Sequence, residues 1–367
     1  MELGYFLMPT HPPERQPYDW HLYDLQTLRW GDELGVSEAW IGEHFTVTWE
    51  PNPAPDLTIA QALLQTKRIK LGPSALLLPY HHPVELAHRM AFLDHLAQGR
   101  LQLGVGDSDH IGDFMAFGVD GQHGENHVMM REALDIMLGI WATEGEYKYS
   151  GKYWNVHIPP EMVEGNYSHH MHTFTKPHPP IAIPVIAPGS DEIKLAGSRG
   201  YMPLSIHLNN AYTISHWETY VESAEAAGIK PDRNKWRLYN EILVADTDAE
   251  AERLAFEGPL GRACREYLWQ FYNAFGFLNH LKQDPSMSDE EVTPEYIMKT
   301  IWIIGSVDTV TDRIVEMYES TGGFGTLLWN PTDWGEQTER MRHTLELLTK
   351  EVLPRVNKRV NPLPAMA

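Results

Sequence analysis

The chain has 367 residues, an apolar fraction of 43% and one cysteine, Cys264. That apolar fraction allows a large core, while a formal net charge of −21 repels phosphate backbones and anionic membranes, which argues against nucleic acid or a membrane as partner. No apolar run reaches the ~18 residues of a membrane span, no secretory signal is visible, and a lone cysteine cannot form an intramolecular disulfide, so a cytoplasmic protein is expected.

Short apolar runs alternate with segments of helical periodicity, as expected of strands buried in a parallel sheet with helical returns. The first predicted strand is Leu3 to Leu7, with a helix from about Tyr18 to Leu34. The second is Glu38 to Ile41, with a helix from Leu57. The third is Ile69 to Leu78, with a helix from Pro83 to Ala97. The fourth is Arg100 to Val105, with a helix from about His127 to Trp141. After a polar stretch rich in His and Pro, the fifth strand is Ile181 to Ile186, with a helix from Ser190 to Ser198. The sixth is Pro203 to His207, with a helix from Tyr212 to Ala227, and the seventh is Arg237 to Ala245, with a helix from Ala249. A helix from Val307 to Ser320 precedes the last strand, Gly325 to Trp329, and a closing helix runs from Gln337 to Val352. The pattern predicts an α/β fold: a single (β/α)8 barrel over residues 1–367, with insertions at about 144–180 and 275–300 that could wall or cover a pocket. An open doubly wound sheet is the rival, but the first turn, Met8-Pro9-Thr10-His11-Pro12-Pro13, lacks its glycine-rich fingerprint.

Chemistry in a parallel barrel collects at the carboxyl ends of the strands. The second strand ends in Glu43-His44, a carboxylate beside an imidazole, although a loop hydrogen bond would also account for His44. The third carries Gly72, Ser74 and Ala75, small residues that suit either a flat ligand or the taper of a barrel. The fourth runs into Gly104-Val105-Gly106-Asp107-Ser108-Asp109-His110, where glycines permit close backbone approach. The fifth is followed by Ala187-Pro188-Gly189-Ser190, a helix start that suits a phosphate, while Ser190 is also an ordinary N-cap. His169, His170 and His172 cluster in a loop without partners at helical spacing, so no metal site is expected. Cys264 reads as a buried structural thiol.

Five stretches are informative together: Trp40-Ile41-Gly42-Glu43-His44-Phe45-Thr46, Leu77-Leu78-Pro79-Tyr80-His81-His82-Pro83, Gln98-Gly99-Arg100-Leu101-Gln102-Leu103-Gly104-Val105, Ala196-Gly197-Ser198-Arg199-Gly200 and Ser320-Thr321-Gly322-Gly323-Phe324-Gly325-Thr326. Through them the chain resembles the bacterial luciferase-like flavin-dependent monooxygenases nearly end to end. Trp49-Glu50 and the run Ile242 to Ala251 are similar to the diketocamphane and limonene monooxygenase branch. The resemblance implies a barrel, usually dimeric, that takes reduced FMN from a separate flavin reductase and uses oxygen on a small apolar substrate.

The same resemblance implies roles for particular residues. His44 and Glu43 match the acid/base position, with Glu43 expected to tune His44. Ser74-Ala75 matches a cis peptide beneath the flavin ring. Gly106 and Asp107 match positions flanking the flavin, Ala187, Gly189 and Ser190 the phosphate-side loop, and Ser205 a flavin contact. Asp107 stands where luciferase has arginine. His127 falls nearest the arginine that usually opens the helix after the fourth strand and reaches the phosphate. Met8, Phe45, Trp49 and Trp329 lie near strand ends and are candidates for an apolar substrate pocket, or for core. Attack on a ketone to give a lactone, epoxidation and hydroxylation all stay open. Two alternatives also stay open: hydride transfer with a deazaflavin, and a non-catalytic flavin-binding partner subunit.

Overall fold

A computed structural model describes residues 1–8, 10–164 and 170–364. Strand β1 (Glu2–Leu7) leads into helix α1 (Pro17–Leu34), which stops at Gly35, where φ of 89° suits a residue without Cβ. β2 (Glu38–Ile41) is followed by α2 (Pro55–Leu63). β3 (Lys70–Pro73) and β4 (Leu76–Leu77) flank a cis Ser74–Ala75 peptide and lead to α3 (Pro83–Ala97). Helices α1, α2 and α3 all begin with proline, whose missing N–H costs nothing in a first turn. β5 (Leu103–Gly106) precedes α4 (Ile111–Phe117) and α5 (Glu125–Ala142).

The first insertion carries an antiparallel hairpin, β6 (Tyr147–Ser150) with β7 (Asn155–Ile158). Next come β8 (Ile181–Val185), α6 (Asp191–Arg199), β9 (Met202–Ile206) and α7 (Asn210–Ala226). β10 (Arg237–Tyr239) and β11 (Ile242–Ala245) precede α8 (Asp248–Glu257). Short helices follow: α9 (Pro259–Ala263), α10 (Trp269–Ala274), α11 (Leu278–Leu281) and α12 (Pro294–Tyr296). The chain ends with β12 (Ile303–Ser306), α13 (Val307–Thr321), β13 (Thr326–Trp329), α14 (Thr338–Leu347) and α15 (Leu353–Arg359).

The sheet runs β3-β2-β1-β13-β10-β9-β8-β5-β4, with parallel pairing throughout. A parallel bridge between Leu71 and Leu101 joins β3 to the start of β5, with Leu71 N donating to Arg100 O and Gln102 N to Leu71 O, both at 2.9 Å. The barrel expected from the sequence is present. Two predicted strands are broken. The third, Ile69 to Leu78, is interrupted at the cis peptide. The seventh, Arg237 to Ala245, splits at Asn240-Glu241: β10 stays in the barrel, while β11 leaves to pair with β12, a strand absent from the sequence reading. The stretch at about 275–300, read as irregular, contains α11 and α12.

Alternation along the strands sorts side chains between two cores. Phe6, Trp40, Ala182, Met202, Leu204, Tyr239 and Leu328 fill the lumen. A larger core, including Leu3, Tyr5, Leu7, Trp236 and Trp329, lies between sheet and helices. Beneath the lumen cluster Arg237 forms two bonds to Glu38, Nε to Oε1 at 3.0 Å and Nη2 to Oε2 at 2.9 Å, and Trp40 Nε1 donates to Glu38 Oε1 at 2.8 Å. The lumen is therefore a filled core, and any ligand belongs at its mouth. Of the clustered imidazoles, His169 lies outside the described residues. His170 and His172 fasten the first insertion to the end of α5 through the Thr143 and Trp141 carbonyls, at 2.7 and 2.8 Å. Cys264 is buried. Among the described residues no helix is long and apolar enough to cross a membrane.

Candidate active site

After β2 the chain is pinned twice, by Gly42 N to Leu7 O and by His44 N to Asn52 O, both at 2.9 Å. This holds His44 at the barrel mouth. Its Nε2 lies 3.0 Å from Glu50 Oε2, and its Nδ1 lies 3.9 Å from Asp113 Oδ2. The second distance is a charge–charge contact, too long for a hydrogen bond, and both of its atoms lack a hydrogen-bond partner among the described residues. Each carboxylate is itself fixed. Asp113 Oδ1 accepts from Thr46 N at 2.9 Å and Thr46 Oγ1 at 2.6 Å. Glu50 Oε1 accepts from the Tyr267 hydroxyl at 2.9 Å. Burial alone would lower the His44 pKa. The Asp113 and Glu50 carboxylates outweigh it and raise the value to about 9, so the ring is an imidazolium at neutral pH. Burial pushes both carboxylates upward, but His44 holds each below its ordinary range.

Glu43 has other partners. It accepts from Leu77 N at 2.7 Å and lies 2.9 Å from His81 Nε2. The expected tuning of His44 by Glu43 is therefore corrected: Glu43 fastens the end of β4, and Glu50 with Asp113 sets His44. Adjacent residues on an extended chain point to opposite sides, so a sequence pair need not be a spatial pair.

Ser74 and Ala75 share the cis peptide, and the buried Ser74 hydroxyl has no partner among the described residues. The small residues beside them serve their neighbours first. A Cβ on Gly106 would come within 2.7 Å of Ala75 Cβ, and one on Gly72 within 3.0 Å of the Trp40 ring. Asp107 pairs with His127 Nδ1, which also lies 3.2 Å from Glu192 Oε1. The ligand atoms of these three residues lie within 4.8 Å of one another, a spacing that could hold a metal ion. The Asp107 hydrogen bond raises His127 to about 9, so a cationic imidazole already serves both carboxylates. Burial raises Asp107 to about 6.

This corner also holds the N-terminus of α6. Ser190 caps it by accepting from Ile193 N at 3.5 Å, Gly189 has φ 65°, and Ala187 is exposed. Arg131, one turn beyond His127 on α5, reaches Asp191 at 2.9 Å. It is a second cation at this corner that the sequence reading missed, because an arginine was sought only at the helix start.

Two expected contacts are corrected by strand alternation. Ser205 faces outward and its hydroxyl accepts from Trp236 Nε1 at 3.0 Å, whereas Leu204 points into the lumen. Trp329 likewise faces outward, 5.8 Å from the Tyr5 ring, whereas Leu328 points inward. Neither lines the mouth. Met8 packs on the lumen cluster. Phe45 meets Tyr80 and Phe117 at 5.9 and 4.7 Å. Trp49 stacks on Tyr267 at 6.3 Å and lines a small cavity with Glu241 and Leu268. Glu241, also missed from sequence, is buried. Its Oε1 accepts from the Tyr239 hydroxyl and Asn330 Nδ2, its Oε2 has no partner among the described residues, and burial pushes the pKa up to about 7.

Residues 1–324 match the luciferase-like monooxygenase family. The chain is 34% identical to 3,6-diketocamphane 1,6-monooxygenase of Pseudomonas putida, over 97% of this chain and 98% of that protein. It is 28% identical to limonene 1,2-monooxygenase of Rhodococcus erythropolis, over 99% of this chain and 88% of that one. The solved oxygenating constituent of 3,6-diketocamphane monooxygenase from Pseudomonas putida, in complex with FMN, superimposes with a TM-score of 0.92 at 33% identity, covering 100% and 99% of the two chains. With the family match spanning most of its length and a relative 34% identical over nearly all of it, the chain belongs to the luciferase-like monooxygenases.

Proposed function

We propose that this chain is the oxygenase of a two-component system, taking reduced FMN from a separate flavin reductase and using oxygen to oxygenate a small apolar substrate, a cyclic ketone first of all. The observation that carries this reading is His44, held as an imidazolium at the barrel mouth by Glu50 and Asp113. FMN fits the residues present. Among the described residues Ser74 Oγ, in the peptide expected beneath the ring, and Asn126 Oδ1, on α5 against the Asp107 and Ser108 carbonyls, are buried without partners. His127, Arg131 and the capped start of α6 supply charge and N–H groups for a phosphate. Reduced FMN bound there supplies the activation of oxygen. The chain holds a proton ready on His44, orients the carboxylates behind it, and walls the mouth with Met8, Phe45 and Trp49. Such a wall keeps water from a reactive oxygen species. Glu43 acts from behind, through the end of β4.

The test is oxygen uptake with reduced FMN against a panel of cyclic ketones and terpenes, with product analysis. Uptake coupled to oxygenated product is expected. Hydride transfer to a deazaflavin without oxygen uptake would overturn the reading, and nothing in the site favours that alternative or a non-catalytic subunit. Arg131→Ala should weaken FMN binding by roughly tenfold, the worth of one charged hydrogen bond. A fluorescence titration with an unchanged dissociation constant would remove Arg131 from the site.

We also place the protein in the cytoplasm, in keeping with its unpaired buried thiol, and propose that it forms a homodimer. Leu57, Leu64, Phe92 and Leu96 are 63, 90, 54 and 50% exposed on or beside the adjacent helices α2 and α3. An apolar face of this kind is costly to leave in water. Sedimentation equilibrium should give a dimer, and Phe92→Glu a monomer. A monomeric native protein would dismiss the proposal.

A further inference from the structure

His110 stands immediately before α4, and its ring meets that of His44 edge to face, with centroids 4.6 Å apart and planes at 83°. The two imidazoles share a site but have different surroundings. His44 has Glu50 at 3.0 Å and Asp113 at 3.9 Å. Among the described residues no carboxylate is paired with His110. It is faced by apolar rings, Phe271 of α10 at 5.8 Å and Phe275 just after that helix at 6.5 Å. Phe271 also packs on Phe275 and Phe277, at 4.8 and 6.0 Å. The charged groups around His110 are therefore His44 itself, Glu50 and Asp113 beyond it, and Asp109 beside it in the chain. Two imidazolium ions so close repel one another, and only one proton is comfortably held. The ring with two carboxylates keeps it, and the ring among phenylalanines stays neutral. Burial lowers the His110 pKa first, and the His44 charge lowers it further.

We propose that His110 is the proton-accepting member of a two-imidazole pair, taking a proton from a reacting O–H at the barrel mouth while His44 donates one. The inference deepens the monooxygenase reading and rests on it. In the step, the O–H bond breaks, its electron pair stays on oxygen, and an N–H bond forms on His110. The proton of His44 passes to the oxygen that gains negative charge, and exchange with solvent at the partly exposed rings restores both. A base that uncovers an oxygen nucleophile, with an acid for the carbonyl oxygen, is what addition to a ketone requires. An alkene offers no such oxygen, so this pairing assigns the substrate to the carbonyl class.

An NMR titration of flavin-free protein carrying 15N-labelled histidine reads the pair directly, with signals assigned by loss in His110→Asn and His44→Asn. His110 should titrate below the ordinary histidine range, and its midpoint should rise by about one pH unit or more in His44→Asn. A midpoint that does not move, or one above that of His44, overturns the pair. In turnover of a cyclic ketone, the native rate should climb as pH rises through the His110 midpoint. His110→Asn, or His110→Gln should the first fail to fold, should lose that acidic limb and slow by ~100-fold. A variant with the native limb and rate overturns the proposal. Absence of turnover in the native protein would instead strike the monooxygenase reading, and the NMR coupling would then decide the pair alone.

Discussion

Replacing His44 with alanine should leave the barrel folded and slow turnover by ~100-fold or more, the usual worth of a positioned acid or base. The side chain is 19% exposed at the mouth and belongs to none of the apolar cores, so its removal opens no core cavity. Its charge depends on Asp113 and Glu50, which hold the pKa at about 9. Activity that needs the imidazolium should therefore fall as pH rises through about 9. Glu50→Gln should move that fall to lower pH, because one supporting charge is gone. Initial rates of product formation across pH, beside circular dichroism of each variant, check both statements. A His44→Ala protein with native turnover would take the residue out of the mechanism. The same pair bears on stability with a definite sign. The folded pKa is raised above the ordinary 6.5, so the contribution is full below about 6.5 and is lost as pH rises through about 9.

Arg237→Met should destabilise the fold by about 3–5 kcal/mol, the cost of leaving a buried carboxylate without its counter-ion. The Glu38 side chain is 1% exposed and that of Arg237 10%. Without the arginine, Glu38 keeps, among the described residues, only the Trp40 N–H as a hydrogen-bonding side-chain partner. Burial would then raise its pKa, reversing the direction that Arg237 now imposes. Adding Glu38→Met to the same chain should recover most of the loss, since an apolar pair of similar volume needs no charge. Urea denaturation of the single and double variants measures this. A single variant with the native midpoint would mean that the pair contributes nothing.

The barrel strands are legible because fully buried parallel strands read as short apolar runs, and all eight appear in that form. What the runs conceal is where they break. Ile242 to Ala245 is as apolar as a barrel strand, yet the chain turns at Asn240-Glu241 and carries it to a separate pair with β12. β12 itself is only four residues and follows directly on a helical pattern, so it leaves no clear signature. The side a residue faces is concealed too. Ser205 and Trp329 sit at strand ends as expected, but each is one position out of phase with the lumen. His44 is legible as an imidazole in the loop after a strand. Its true partners come from different segments, Glu50 six residues on, Asp113 on α4 and His110 before it, and no spacing rule links them. The resemblance puts the expected phosphate corner at His127 and Ser190, and the Arg131 cation one turn further along is seen only from the geometry of α5.

Tyr267 belongs to the segment between α9 and α10, and its hydroxyl holds the very carboxylate that holds His44. Under the proposed roles of His44 and of Trp49, on which Tyr267 stacks, the wall and the acid are thus mechanically one part. Swapping this segment between relatives would transplant reactivity along with selectivity, and shortening it would leave Glu50 freer to swing away from the imidazole. Natural variation in this excursion has two consequences at once, and efforts to reshape the cavity by grafting it should be read first for a changed pH optimum.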